Sequence, residues 1–393
     1  MNRAIALFSG GRGAASIARS LLRTPGVDLS LLINGYDNGL STGALRRYLP
    51  GMLGPSDFRK NMLLHLDPQD PRQAALRAIL EHRLPADATR HGLRELVRSL
   101  TAPALSGPFA ALPRTARAAI VRELTVLLDH LDDRPGLDLA DCSLGNLVFA
   151  GAYLRLGEDF NAAVQACART FGSPAMIMNI TNGENAYLVA LKENGRVLAD
   201  EADIVAPQDP AAITDLFLLR EALTPERARE LESWPADLRR QALARAGAAV
   251  SPNPRACEAL RNADLIVYGP GTPHSSLYPS YLTPGVADAI AASRATAKVL
   301  VVNIGEDHDV RGLGPDDLVR RTLRYLGDPD NQRRTVTHVV CHTSAPAHGS
   351  RVPGVRWVVA DVADPEHPGR HHGERTVQVL NRIARDTMLA RVG

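Results

Sequence analysis

Lysine is scarce in this 393-residue chain, occurring only at Lys60, Lys192 and Lys298, so arginine carries nearly all of the positive charge. Together with abundant alanine, that bias is expected from GC-rich coding DNA rather than from function. Cysteine is also sparse: Cys142, Cys167, Cys257 and Cys341 lie far apart with no CxxC pair, which excludes a zinc ribbon and suits free thiols in a reducing compartment. The opening MNRAIALF runs straight into a strand pattern with no charged leader or cleavage signal, and no apolar stretch is long enough to cross a bilayer. A cytoplasmic location with no membrane partner is expected. A formal net charge of +2 offers no electrostatic case for nucleic acid. Internal repeats and a basic low-complexity tail are missing. No Gly-Lys-Ser/Thr follows any glycine-rich loop, which excludes a P-loop, and no HExxH spacing occurs.

What is present is an ordinary globular composition, 45% hydrophobic and 22% charged, in a chain long enough for one large domain or two smaller ones. Its most informative features are three glycine-rich loops, each directly after an apolar run. They are Ser9-Gly10-Gly11-Arg12-Gly13 after RAIALF, Asp37-Asn38-Gly39-Leu40-Ser41-Thr42-Gly43 after LSLLI, and Gly269-Pro270-Gly271-Thr272 after DLIVY. In an open parallel α/β sheet, loops at the carboxyl ends of strands share a ligand crevice. Glycine lets backbone amides approach a ligand, and the helix that follows offers unpaired N–H groups to an anion. The spacing therefore predicts one site for a phosphorylated ligand.

Strand and helix patterns alternate from residue 3 to the helix GALRRYL, a βαβ opening. From about residue 58 to 140 the pattern is helical and reads as an insertion. The stretch from PAMIMNIT through LKENGRVL has the alternation and Glu-Asn-Gly turn of an antiparallel hairpin. Residues 206–250 read as a polar helical insertion or linker. Strands DLIVY, AKVLVVNI, THVVCH and VRWVVADV follow, and a helix from about 373 closes the chain. The expected fold is a single α/β domain over 1–393: a Rossmann-like, mainly parallel sheet flanked by helices, with a helical insertion.

Several residues admit more than one reading. Gly11 and Gly13 suggest a dinucleotide fingerprint, but Ser16 stands in place of its third small residue and Asn34 and Gly35 in place of its acid, so an NAD-dependent oxidoreductase is a remote alternative. Asp57 either caps the next helix or works beside Arg59 and Lys60 on a diphosphate. Ser143 precedes an apolar helix as an N-cap or phosphate contact; Asp141 replaces the first glycine of a nucleophile elbow. His338, His342, His348, His371 and His372 read as surface or edge histidines, and Tyr278 and Tyr281 as packing residues.

In order, these segments resemble the family of 2-phospho-L-lactate transferases and their relatives, the YvcK-type gluconeogenesis factors. The family's Gly-Gly-Gly-Thr-Gly is similar to Ser9-Gly10-Gly11-Arg12-Gly13, and its Asp-Asp-Gly-Gly-Ser-Ser-Gly-x-Leu-Arg to residues 37–46. Its Pro-Pro-Gly-Asp-Ile-Arg-Asn is similar to residues 54–60, and its Ser-x-Gly-Asn-Leu to Ser143, Gly145, Asn146 and Leu147. Its Gly-Pro-Gly-Ser resembles Gly269-Pro270-Gly271-Thr272, with Ser275, Ser276, Leu277 and Pro279 beyond. The resemblance implies a nucleotide diphosphate or nucleotide-sugar ligand, often a homodimer, and in one branch Mg²⁺-dependent transfer of a phospholactyl-type group to a small hydroxyl acceptor. In the other branch it implies a nucleotide-sugar-binding regulator without turnover. On the transferase reading, Gly10, Gly11, Arg12, Gly13, Asn38, Ser41, Thr42, Gly43, Ser143, Gly145, Asn146 and residues 269–272, 275 and 276 hold the ligand. Asp37 holds Mg²⁺, Asp57 orients the acceptor or acts as base, and Arg59 and Lys60 neutralise the leaving diphosphate. Asn38 departs from the family's second acid, which leaves one carboxylate where Mg²⁺ would favour a pair. Arg12 replaces a threonine, and the 206–250 segment is longer than the family pattern.

Overall fold

The computed structural model describes residues 2–103, 105–207, 209–305, 310–344 and 352–392. Apolar runs become strands, the central ones covered on both faces. RAIALF forms β1 (Arg3–Phe8), VDLSLLI forms β2 (Val27–Ile33) and MIMN forms β3 (Met176–Asn179). Three strands then make a smaller sheet: β4 (Tyr187–Lys192), β5 (Val197–Leu198) and β6 (Ile213–Leu219). The pattern returns with β7 (Leu265–Tyr268), β8 (Ala297–Val301), β9 (His338–His342) and β10 (Arg356–Ala360).

The main sheet is the expected parallel α/β sheet of seven strands, ordered β10-β9-β8-β7-β1-β2-β3 and flanked by helices. β7 is buried at every residue and β1 from Ala6 onward is sealed from water, as strands packed on both faces must be. β1 lies between β2 and β7, with Phe8 level with Leu32 and with Tyr268. That register brings the loops after β1 and β7 out at the same edge of the sheet.

The chain divides into two compact units, residues 1–36 with 178–393, and residues 37–177. In the larger, the helix Ala15–Arg23 buries Ile17, Ala18 and Leu21 and packs against the closing helix Gly373–Val392. Apart from the start of β3 the smaller is built of helices and loops, and it is wider than the insertion expected over 58–140. Its central helix, Leu144–Arg155, is buried from Leu144 to Tyr153, so it is apolar all round rather than striped. It crosses the helix Arg114–Asp133 at Gly151, where a Cβ would sit 2.5 Å from the Glu123 carbonyl carbon. Arg155 closes a bidentate pair on buried Glu123 at 2.7 and 2.9 Å.

Two expectations change. β4 and β5 do form the antiparallel hairpin, with Ala190 opposite Leu198, but the MIMN run leaves it for the edge of the parallel sheet. Residues 206–250 are not wholly helical. They contain β6, which pairs antiparallel with β4, followed by the helices Pro225–Glu232 and Ala236–Arg245. Leu219, Leu231 and Leu243 close a small core over this sheet. Among the described residues, no helix is long and apolar enough to cross a membrane.

Candidate functional site

In the larger unit the loops after β1 and β7 interlock. A Cβ on Gly13 would collide with the Pro270 carbonyl oxygen and lie 2.5 Å from Gly271 Cα, and one on Gly269 would lie 2.6 Å from the Phe8 oxygen. Only hydrogen fits at either position, which is the physical reason for glycine there. The amides of Gly11, Arg12, Gly13 and Ala14 have no acceptor among the described residues, and they lead into the helix Ala15–Arg23. Gly10 is buried, Gly11 partly covered, and Arg12 and Gly13 are exposed; the Arg12 guanidinium has no ion pair among the described residues. Consecutive free amides at a helix start, with a cation among them, attract an anion.

The second loop is held from beneath. The Asn303 side chain, just past β8, accepts from the Gly271 amide at 2.9 Å and donates to the Gly271 carbonyl at 2.8 Å. Asn34, just past β2, donates to the Ser276 carbonyl at 2.6 Å and accepts from the Tyr36 amide. Thr272 is partly covered, while Ser275 is buried with its hydroxyl 3.4 Å from that of Ser276. In the sequence Asn34 reads only as a missing acid, and Asn303 belongs to no motif. The signal was a lone amide side chain ending each apolar strand. Tyr278 and Tyr281 are packing residues as expected, buried in an aromatic cluster with Phe8, Tyr268 and Tyr325.

The smaller unit holds a second cluster. Asp37 accepts from the Gly39 amide at 3.0 Å, and its carbonyl accepts from Arg46. Gly54 lets the chain approach, since a Cβ there would lie 2.5 Å from the Asp37 oxygen; at Gly43 it would lie 2.5 Å from the Asn38 oxygen. Ser41 and Thr42 are buried, and the Thr42 hydroxyl meets that of Ser56 at 2.5 Å. Asp57 is 8% exposed and pairs with Lys60 at 2.9 Å. Burial pushes its carboxyl above the ordinary range, Lys60 opposes that, and the nearby Asp37 charge adds to it.

One expected catalytic residue, Arg59, and three expected ligand residues, Ser143, Gly145 and Asn146, face inward instead. Arg59 is 8% exposed; its Nε donates to Asn146 at 3.0 Å and an Nη donates to the Leu80 carbonyl at 2.8 Å. A guanidinium tied to two internal acceptors positions the fold and is not presented to a leaving diphosphate. Asn146 bridges Arg59 and Ser56. Ser143 stands at the N-cap position, yet its hydroxyl turns to the Leu80 carbonyl and makes no cap bond. Gly145 is a packing position, where a Cβ would sit 2.7 Å from Arg59 Cδ. Asp57 likewise does not cap its helix, Ser56–Met62, because it lies inside the first turn.

No three His, Cys, Asp or Glu side chains cluster as a metal cage among the described residues. The Asp37 and Asp57 charges act on one another, and one Asp57 oxygen is already held by Lys60. Such a set fits a Mg²⁺ that takes most of its ligands from phosphate oxygens and water, and does not fit a protein-caged ion. Two histidines differ from expectation: His338 and His371 are buried, the latter hydrogen-bonded to the Val302 carbonyl at 3.0 Å. His348 lies outside the described residues.

Comparison with known proteins follows the same lines. The family described as 2-phospho-L-lactate transferase CofD matches residues 5–361. The gluconeogenesis factor of Bacillus subtilis is 25% identical over 300 residues, 76% of this chain and 67% of its own length. The gluconeogenesis factor of Halalkalibacterium halodurans is 25% identical over 324 residues, 82% and 74% of the two chains. A crystal structure of a UPF0052 family member from Bacillus halodurans superimposes with a TM-score of 0.66 at 19% identity, covering 97% of this chain and all of that one. That likeness is one of fold.

Proposed function

Because this chain belongs to the 2-phospho-L-lactate transferase CofD family, we propose that it binds a nucleotide diphosphate ligand, a nucleotide sugar included, with the diphosphate on the loops 10–13 and 269–272. The observation that carries this is the run of four amides from Gly11 to Ala14 that have no acceptor among the described residues, ahead of a nine-residue helix and joined by Arg12, which has no ion pair among them. Backbone donors and a helix N-terminus fit phosphate oxygens, and the Arg12 fork adds charge. The Bacillus subtilis and Halalkalibacterium halodurans relatives are named gluconeogenesis factors rather than transferases, so this reading does not require turnover.

A second reading, transfer of a phospho-linked group from a nucleotide diphosphate donor to a small hydroxyl acceptor, is favoured by Asp57. A buried carboxyl with raised proton affinity, paired with an ammonium, suits orienting a hydroxyl and accepting its proton. On this reading Lys60 neutralises developing charge, and Arg59 keeps the cluster in place through Asn146. Asp37 is the residue that would hold Mg²⁺, which would supply charge neutralisation to phosphate oxygens.

Thermal unfolding with guanosine or uridine diphosphate, with and without Mg²⁺, tests both readings. A ligand at a hundred times its dissociation constant adds about 2.7 kcal/mol of stability. The wild type is expected to gain stability and Gly13→Val to gain none, because a side chain at 13 forces the two loops apart. Equal gains in both proteins, or none with any nucleotide, would overturn the binding reading. Asp37→Asn is expected to keep the nucleotide response and lose its Mg²⁺ increment; an unchanged increment removes the support for metal at Asp37.

A further inference from the structure

A cavity of about 380 Å³ opens at the other edge of the main sheet, by the amino ends of β8, β9 and β10. Its lining is strongly cationic. Lys298 sits at the second residue of β8, His338 at the first of β9 and Arg356 at the first of β10; Arg333 and Arg334 come from the turn before β9. No acidic residue lines it among the described residues. Of the nearby acids, Asp328 accepts from the Arg333 and Thr335 amides and the Thr335 hydroxyl, and Asp288 pairs with Arg333 at 2.5 Å.

Lys298 is the decisive group. It is 5% exposed, yet its ammonium has no hydrogen-bond acceptor and no ion pair among the described residues. The other two lysines both have carboxylate partners, Lys60 with Asp57 and Lys192 with Asp209. Its backbone is fixed by Thr337, whose hydroxyl accepts from the Lys298 amide at 2.8 Å and whose own amide donates to the Lys298 carbonyl at 2.9 Å. Burial and the charges of Arg334 and Arg333 bring its ammonium down to about 8, against the pull of Asp328. Burial, Arg356 and Arg334 push His338 down to about 4, so near neutrality its ring is an uncharged neighbour. The Lys298 side chain is mostly covered while its ammonium borders the cavity, and a partly desolvated cation without a counter-charge among the described residues favours an anion beside it.

The loop that presents the arginines is strained. Asn331 and Arg334 both hold left-handed backbone, φ 53° and 51°. Asn331 fastens the turn by donating to the Val336 and Pro353 carbonyls. Arg334 is exposed and, like Arg356, has no ion pair among the described residues. Strain of this kind at a non-glycine residue persists where surrounding bonds over-determine it, and it gathers at ligand clamps.

We propose that this cavity is a second ligand site, taking a small phosphorylated molecule whose phosphoryl group is held by Lys298, Arg334 and Arg356. A phosphoryl group concentrates nearly two negative charges on one centre, matching several cations around one small volume, and guanidinium forks pair with its oxygens. The site lies away from the loops after β1 and β7, so it does not depend on the reading given to them.

Calorimetric titration of the full chain with inorganic pyrophosphate tests the proposal. The variant is Arg334→Asn with Arg356→Gln: both positions are exposed, and asparagine tolerates left-handed backbone. The substitutions are made in the wild type and in Gly13→Val. Pyrophosphate is expected to bind Gly13→Val, and the added double substitution is expected to weaken that binding at least tenfold. In the otherwise wild-type chain the double substitution should leave nucleotide-induced stabilisation unchanged. Pyrophosphate affinity that the double substitution does not alter overturns the proposal, as does complete loss of pyrophosphate binding in Gly13→Val alone. Failure of the loop site would appear separately, as nucleotide binding that survives Gly13→Val.

Discussion

Asn146 ties Arg59 to Ser56 in the interior of the smaller unit. It accepts from Arg59 Nε and donates to the Ser56 hydroxyl, and it is 1% exposed. Truncation leaves a buried guanidinium nitrogen without its acceptor, and an unsatisfied buried polar group costs about 1–3 kcal/mol, more when charged. Asn146→Ala is therefore expected to lower the urea midpoint by that amount with an unchanged slope; a midpoint within error of the wild type would show that Arg59 finds another acceptor. Ser-x-Gly-Asn was visible in the sequence as a motif, but its direction was not. Whether a serine or asparagine faces a ligand or a neighbouring helix depends on what stands opposite, here Leu80 and Arg59, which are distant in the chain.

The elements were legible where periodicity was strong and ambiguous where it was weak. β1, β2, β7, β8, β9 and β10 follow from continuous apolar runs bounded by glycine, proline or polar residues. β6 did not, because ITDLFLL is embedded in a segment rich in charge and proline, and its pairing with β4 supplies what local pattern lacks. The three-stranded sheet rests on a small core in which Leu219 and Leu231 are each 2% exposed. Leu231→Ala is expected to cost about 2–5 kcal/mol locally, as large-to-small core changes do. Hydrogen exchange should then speed up in β4 and β6 while β1 and β7 stay protected; uniform acceleration would mean that the small sheet does not open on its own.

For the molecule as a whole, buried titratable groups set the pH range of stability. Burial brings both His338 and His371 down to about 4 from 6.5, so between those values the unfolded chain takes up protons that the native state refuses. Stability therefore falls as pH drops from about 6.5 to 4, and for a histidine as buried as His371 the shift corresponds to about 3 kcal/mol. Asp57, raised by burial, works in the opposite sense, because its native form holds a proton longer. Lys298, lowered to about 8, makes stability climb as pH rises from about 8 toward 10.5, where the unfolded chain still binds the proton. Urea midpoints at pH 4.5 and 7 should differ less in His371→Gln than in the wild type; an equal difference would assign acid sensitivity to other groups.

By itself the sequence determined the parallel α/β class, the strand-to-loop junctions at Gly10–Gly13 and Gly269–Gly271, and the family, because these depend on short-range chemistry: apolar runs, and glycine where a side chain cannot fit. Only the tertiary structure decided which polar residues stay free for a ligand. Arg12 and Arg59 are the same residue type beside similar motifs, yet one stands in solvent and the other is bonded to Asn146 and Leu80. The cationic cavity around Lys298 was invisible for the same reason, since its charges come from three strands and a turn that meet only through sheet register. Burial and partner choice are properties of what lies across space, and chain order does not encode them locally.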